Sequence, residues 1–262
     1  MESTSRPTLL LLHGAFHIPD SYNKFTRALR AAGFEVHVPR LPSMNGSRPP
    51  NTDLATDSEL VRSYATSLVE AGRDVAVLMH SYGGQVGTNS LYGLSKSVRS
   101  ANGLPGGISH LIYMSAFALP EGKSMIDKVE EFGHLDLIPV SFGIDSDQSC
   151  VTNYPREGLI DGPSDQVHPE EIKEYIETIG RWNGKSMYMP IQNTPAWRDE
   201  VNIYYMYTLN DISLPIEYQR SMVEFIEKEE GKTVETVEFE SNHALTLLVT
   251  KRVVDTVIKF TS

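Results

Sequence analysis

The chain has 262 residues, 40% of them hydrophobic, enough to bury one large core, and α/β architectures of this length commonly fold as one domain. Acidic residues number 34 against 23 lysines and arginines, a formal net charge of -11, so phosphate backbones and anionic membranes would repel most of the surface and nucleic acid is excluded as a partner. The single cysteine, Cys150, cannot close an internal disulfide, and it reads as a bystander in a loop. The polar start Met1 to Pro7 and the short apolar run Leu9 to Leu12 suit neither a secretory leader nor a membrane span, so no membrane partner and a reducing, cytoplasmic setting are expected.

Thr8 to Leu12 is a continuous apolar run that breaks at Gly14, as a buried parallel strand entering a loop does. Cap-type Asp20 and Ser21 then precede Tyr22, Phe25, Ala28, Leu29 and Ala32, whose spacing predicts one apolar helical face stopped by Gly33. Phe34 to Val38 reads as a strand, Pro39 to Pro50 as a surface loop, and Asp57 to Glu70 as a helix. Asp74 to Met79 is the next strand, Gly83 to Val98 the next helix, and Ile108 to Ser115 a fourth strand after a turn at Leu104 to Gly107. Strand and helix alternate throughout, which predicts an α/β fold with a mostly parallel sheet and helices on both faces.

That rhythm fails over residues 118–199, read as an inserted lid between core segments 1–117 and 200–262. It holds a loop at Gly143 to Pro155 and a helix at Glu170 to Gly180 opened by His168 and Pro169. Alternation resumes with a strand at Val201 to Tyr207, a helix at Ile216 to Glu229, a strand at Thr233 to Phe239 and a mostly helical Ala244 to Phe260.

The sharpest chemical signal is Met79-His80-Ser81-Tyr82-Gly83-Gly84 between a predicted strand and a predicted helix. A serine at such a junction sits on a tight elbow that needs small neighbours, and the helix N-terminus favours developing negative charge. An ordinary glycine-rich turn with a capping serine would share these residues. A serine hydroxyl, however, needs a base, so the elbow predicts a late histidine and a carboxylate between the two. His243 follows the strand Thr233 to Phe239, and Asp211 follows the strand Val201 to Tyr207. Both emerge at the carboxyl ends of strands, the edge where open α/β sheets place their sites. The amides of Tyr82 and Ala15 are the expected oxyanion donors, the second carried by the loop His13-Gly14-Ala15-Phe16-His17.

Phe16, His17, His80, Phe142, Tyr154, Met187 and Trp197 are candidate substrate contacts, although a lid packing on its own core would need the same apolar side chains. His17 and His80 suit supporting hydrogen bonds better than direct chemistry. No metal constellation and no dinucleotide fingerprint emerges, so neither a metal nor a cofactor is expected. The partner expected is a small-molecule substrate; a homodimer stays open.

On Leu12-His13-Gly14-Ala15, His80-Ser81-Tyr82-Gly83-Gly84, Asp211 with Pro215 and Tyr218-Gln219, and Asn242-His243-Ala244, the chain resembles the α/β-hydrolase superfamily. Within it, the chain is similar to the compact branch of plant methylesterases and hydroxynitrile lyases with their microbial relatives. The resemblance implies an α/β-hydrolase fold and a serine hydrolase that cleaves a carboxylic ester or lactone through an acyl-enzyme on Ser81. The branch's lyases carry threonine after the first-loop histidine and lysine after the late histidine, where this chain has Gly14 and Ala244. These departures point away from cyanohydrin cleavage. A lyase or carbon-carbon bond hydrolase with His243 as base, or a non-catalytic receptor, are the alternatives the resemblance leaves.

Overall fold

The computed structural model describes residues 6–262, so most of the polar start lies outside the described residues. Thr8–Leu12 has no polar face to turn to solvent and forms β1, buried along its whole length. After a single 3-10 turn come α1 (Asn23–Ala31) and β2 (Val36–His37). Next are α2 (Leu54–Glu70), β3 (Asp74–His80), α3 (Tyr82–Ser90), α4 (Lys96–Ala101) and β4 (Gly107–Met114).

The stretch before the next core strand carries α5 (Met125–Glu131), α6 (Ile138–Ser141), β5 (Phe142–Ile144) and β6 (Ser149–Thr152). It continues through α7 (Pro155–Leu159), α8 (Pro169–Glu177) and β7 (Trp182–Asn183). The chain closes with β8 (Asn202–Thr208), α9 (Ile216–Lys228), β9 (Val234–Phe239), α10 (Leu245–Leu248) and α11 (Thr250–Phe260).

Six strands form one parallel sheet in the order β2-β1-β3-β4-β8-β9. The period-2 alternation of strand side chains divides the core between its two faces. Leu9, Leu11, Ala76 and Leu78 pack with Phe25 and Leu29 of α1 and Val253 and Val257 of α11. Leu10, Leu12, Val75 and Val77 pack on the other face with Val61 and Ala65 of α2 and Met222 of α9. The chain reverses its direction of travel across the sheet between β1 and β3, and ligands of open α/β sheets bind at such a switch point.

Several boundaries differ from the sequence expectation. The second strand shrinks to Val36–His37 because the Phe34 amide donates to the Leu29 carbonyl and closes α1 instead. The helix expected to begin at Asp57 begins at Leu54, capped by Asp53, whose carboxylate accepts from the Ala55 amide at 3.1 Å. Asp57 is therefore inside the helix and buried. The single helix over Gly83 to Val98 is two, parted by Gly93 at φ 82 and restarted by the Ser95 cap. The loop at Gly143 to Pro155 contains the hairpin β5-β6, and Cys150 is a fully buried strand residue of it, not a loop bystander. Burial pushes its thiol up to about 12, which leaves it inert.

Candidate active site

Ser81 stands between β3 and α3 at φ 54 and ψ -122, a left-handed conformation that costs a non-glycine residue about 1–3 kcal/mol. The fold holds it there from three sides. Its amide donates to the Met114 carbonyl, and its carbonyl accepts from the amides of Gly84 at 3.0 Å and Phe117 at 3.1 Å. The neighbouring glycines are required for close approach. A Cβ on Gly83 would lie 2.3 Å from the Leu12 carbonyl oxygen, and one on Gly84 would lie 2.8 Å from the Phe117 amide nitrogen. Tyr82 opens α3, so its amide is among those with no acceptor inside the helix.

His243 and Asp211 lie on the loops after β9 and β8, and both are buried. The imidazole Nδ1 stands 2.7 Å from Asp211 Oδ2. Oδ2 also accepts from the Thr208 hydroxyl at 2.8 Å, and Oδ1 accepts from the amides of Ser213 at 2.9 Å and Leu214 at 2.8 Å. A carboxylate so placed can only accept, so the His243 proton sits on Nδ1 and leaves Nε2 with its lone pair free to take a proton. Gln219 of α9 sets this loop from behind. Its amide donates to the Thr208 hydroxyl at 3.0 Å and the Leu214 carbonyl at 2.7 Å. Its own oxygen accepts from the Thr208 amide. A glutamine in the buried stripe Tyr218, Gln219, Met222, Val223, Ile226 is the sequence signal for that role.

A relay of buried polar groups ties the three site loops together. The Gly14 amide donates to the Tyr22 hydroxyl oxygen at 3.0 Å, and that hydroxyl lies 2.6 Å from His80 Nδ1. His80 Nε2 lies 3.0 Å from the His243 carbonyl, which can only accept, so Nε2 carries the proton and Tyr22 donates to Nδ1. His17 is built the same way. Its Nδ1–H donates to the Ala15 carbonyl at 2.6 Å, and its Nε2 accepts from the Tyr175 hydroxyl at 2.5 Å. His13 Nδ1–H donates to the Gly14 carbonyl, while its Nε2 accepts from the Leu41 amide. Each needs a neutral ring. Burial supplies it, lowering His17 to about 3, His13 to about 4 and His80 well below its ordinary value.

A second buried network backs the elbow. Asp57 accepts from the Ser43 amide and hydroxyl and, at 2.7 Å, from the Tyr82 hydroxyl. Burial with no cationic partner among these groups raises its carboxyl to about 6. Trp182 donates its indole N–H to the same Ser43 hydroxyl at 3.2 Å. The backing of Tyr82 and one wall of the cavity therefore share a hydrogen-bonded support.

Ser81, His243 and Ala15 line one cavity of about 70 Å³. Phe16, His17, Phe142 and Met187 line it as well. His80 lies behind it, in the relay, and Tyr154 lines an adjoining chamber. Trp197 is elsewhere: it is fully buried in the core, edge-on to Phe225 with ring centroids 6.3 Å apart, because the segment that carries it packs against α3. The tryptophan in the cavity is Trp182, which stands edge-on to Phe16 at 5.5 Å, and Phe117 and Met125 join it. Among the described residues no group of His, Cys, Asp and Glu is arranged to hold a metal ion, and no helix is long and apolar enough to cross a membrane.

Residues 9–256 match a family described as Alpha/beta hydrolase family. The chain is similar to the alpha/beta hydrolase nvfD of Aspergillus novofumigatus, with 25% identity over 213 residues that cover 80% of each chain. Among solved structures it resembles a pyrethroid hydrolase from Sphingobium faniae JZ-2, at 21% identity, a TM-score of 0.71 and 97% of each chain covered. It also resembles the methylesterase MES16 from Arabidopsis, at 17% identity and a TM-score of 0.69, over 97% of this chain and 98% of that one. At these identities the two structures speak to the shared fold.

Proposed function

The chain belongs to the alpha/beta hydrolase family, and on that footing we propose that it is a serine esterase that hydrolyses a carboxylic ester or lactone of a largely apolar small molecule. The observation that carries the reading is Ser81 on a left-handed strand-to-helix junction, in one cavity with a His243 whose Nδ1 is committed to Asp211. In this mechanism Ser81 Oγ attacks the carbonyl carbon as His243 Nε2 takes the hydroxyl proton, and the amides of Ala15 and Tyr82 receive the oxyanion. Collapse breaks the bond to the alkoxy oxygen, and the imidazolium returns the proton to that oxygen. Water, deprotonated by the same nitrogen, then releases the carboxylic acid and restores Ser81. Residues 118–199 act as the lid that excludes bulk water from this sequence. The names of similar proteins, a methylesterase and a pyrethroid hydrolase, agree with ester chemistry.

The reaction class is tested on a panel of alkyl esters, aliphatic lactones and cyanohydrins, with acid release followed by pH-stat and cyanide release by colorimetry. Turnover of esters or lactones without cyanide release is the expected result. Cyanohydrin cleavage without any ester hydrolysis would replace the esterase by a lyase that uses His243 as its base, and silence across the panel would favour a ligand receptor.

A further inference from the structure

The cavity at Ser81 is small. A volume of about 70 Å³ accommodates only a few water-sized groups, since roughly 10–15 Å³ of such space holds one water. A second chamber of about 270 Å³ adjoins it, and Ile138, Phe142, Thr152 and Ser213 line both. The outer chamber is walled by Val140, Tyr154, Ile212, Pro215 and Tyr218. Among the described residues the most exposed large hydrophobic side chains are Ile212 at 66%, Val140 at 56% and Tyr154 at 55%, and all three belong to this chamber. Apolar surface gathered in that way marks a place where something apolar sits. The outer chamber is continuous with the Ser81 cavity through the shared walls.

We propose that the substrate is an ester of a short acyl group with a bulky, apolar alcohol, the acyl group held in the inner cavity and the alcohol in the outer chamber. The assignment of ends follows from proton delivery. Ala15, Phe16, Phe117 and Trp182 line the inner cavity alone, whereas Ser213, two residues beyond Asp211 and donating its amide to Asp211 Oδ1, lines both chambers on the side of the histidine and its carboxylate. The leaving oxygen has to lie against the His243 imidazole to receive its proton, so the alcohol points past Ser213 into the outer chamber. This inference rests on the esterase reading and adds to it which half of the ester is large.

Two isomeric esters test it, cyclohexylmethyl acetate and methyl cyclohexylacetate, with ethyl acetate as the small reference. Because each buried methylene is worth about 0.8 kcal/mol, close to fourfold, burial of roughly three to four of the five extra carbons raises the expected kcat/KM for cyclohexylmethyl acetate about 100-fold above that for ethyl acetate. Methyl cyclohexylacetate, which would force its ring into the inner cavity, is expected to fall below both. Gly158 lines the outer chamber, and a Cβ there meets only the Ser213 hydroxyl, at 3.5 Å. Gly158→Trp should therefore fill the chamber and lower the ratio of cyclohexylmethyl acetate to ethyl acetate kcat/KM by at least about tenfold. Ile212→Ala, at an exposed site, should lower cyclohexylmethyl acetate turnover about threefold more than ethyl acetate turnover. Equal rates for the two isomers, preference for methyl cyclohexylacetate, or equal effects of Ile212→Ala on all esters would overturn the assignment. An enzyme that leaves ethyl acetate and both isomers untouched would instead fail the esterase reading itself.

Discussion

Replacing Ser81 or His243 by alanine is expected to lower kcat for ester hydrolysis by about 10,000-fold or more, and the double variant to be no slower than either single one. In the proposed mechanism the proton and the nucleophilic oxygen belong to one step, so removal of either partner removes the step. Asp211→Asn should cost roughly 1,000- to 10,000-fold although the fold is kept, and the hydrogen bonds give the reason. The amides of Ser213 and Leu214 both donate to Oδ1, so an asparagine would place its oxygen there and turn its NH2 toward His243. That NH2 would donate to Nδ1, move the imidazole proton to Nε2, and leave nothing to receive the Ser81 proton. Steady-state kinetics on the best ester of the panel, with circular dichroism to confirm folding, checks all four variants. Additive losses in the double variant would show that the two residues do not work as a pair.

The second large effect is on stability in acid. His13 and His17 have folded-state pKa values of about 4 and about 3, below the ordinary 6.5, because burial penalises the charged rings. Their contribution is complete above pH 6.5 and is lost as pH falls toward those folded values. At pH 5 the two together cost about 4 kcal/mol, because each tenfold difference in proton affinity between the folded and unfolded chain is worth about 1.36 kcal/mol. His80 is displaced in the same direction.

Asp57 works the other way. Its carboxyl is raised to about 6, so its contribution is complete below pH 3.8 and is lost as pH rises through 6; at pH 5 it returns about 1 kcal/mol. The histidines win, and a net loss of about 3 kcal/mol is a large share of a typical domain's roughly 5–15 kcal/mol. Urea unfolding should accordingly show stability falling from pH 7 to pH 5, with protons taken up on unfolding, and His17→Gln should reduce that uptake by about one proton near pH 5. Stability that is flat or rising on going from pH 7 to pH 5 would contradict the neutral, buried relay.

The parallel sheet is legible in the sequence because β1 and β3 are short, apolar runs closed by glycine or polar turns, a pattern that few structures other than buried parallel strands satisfy. Ser81 stands out because Gly83 and Gly84 sit where a Cβ would strike backbone. What stays hidden is held by contacts distant in the chain. Tyr22 meets His80 and Tyr175 meets His17 across 58 and 158 positions, and no local periodicity records either pairing.

The hairpin Phe142–Thr152 is short and polar at its turn, so it reads as loop until Trp182 and Asn183 are seen beside it. The two tryptophans fall in a two-residue strand and a single 3-10 turn, too short for a period to say which faces the cavity, and the sequence favours Trp197 where Trp182 belongs. The break after Ser90 rests on one glycine, Gly93, in an otherwise acceptable helical run.

In the proposed mechanism the Ser81 hydroxyl oxygen becomes acylated. Incubation with a fluorophosphonate, followed by peptide mapping in a mass spectrometer, should place a single adduct on the peptide containing Ser81, with loss of ester hydrolysis in step with labelling and no adduct on Ser81→Ala. Full ester hydrolysis by Ser81→Ala, or inactivation with the label on any other residue, would contradict it.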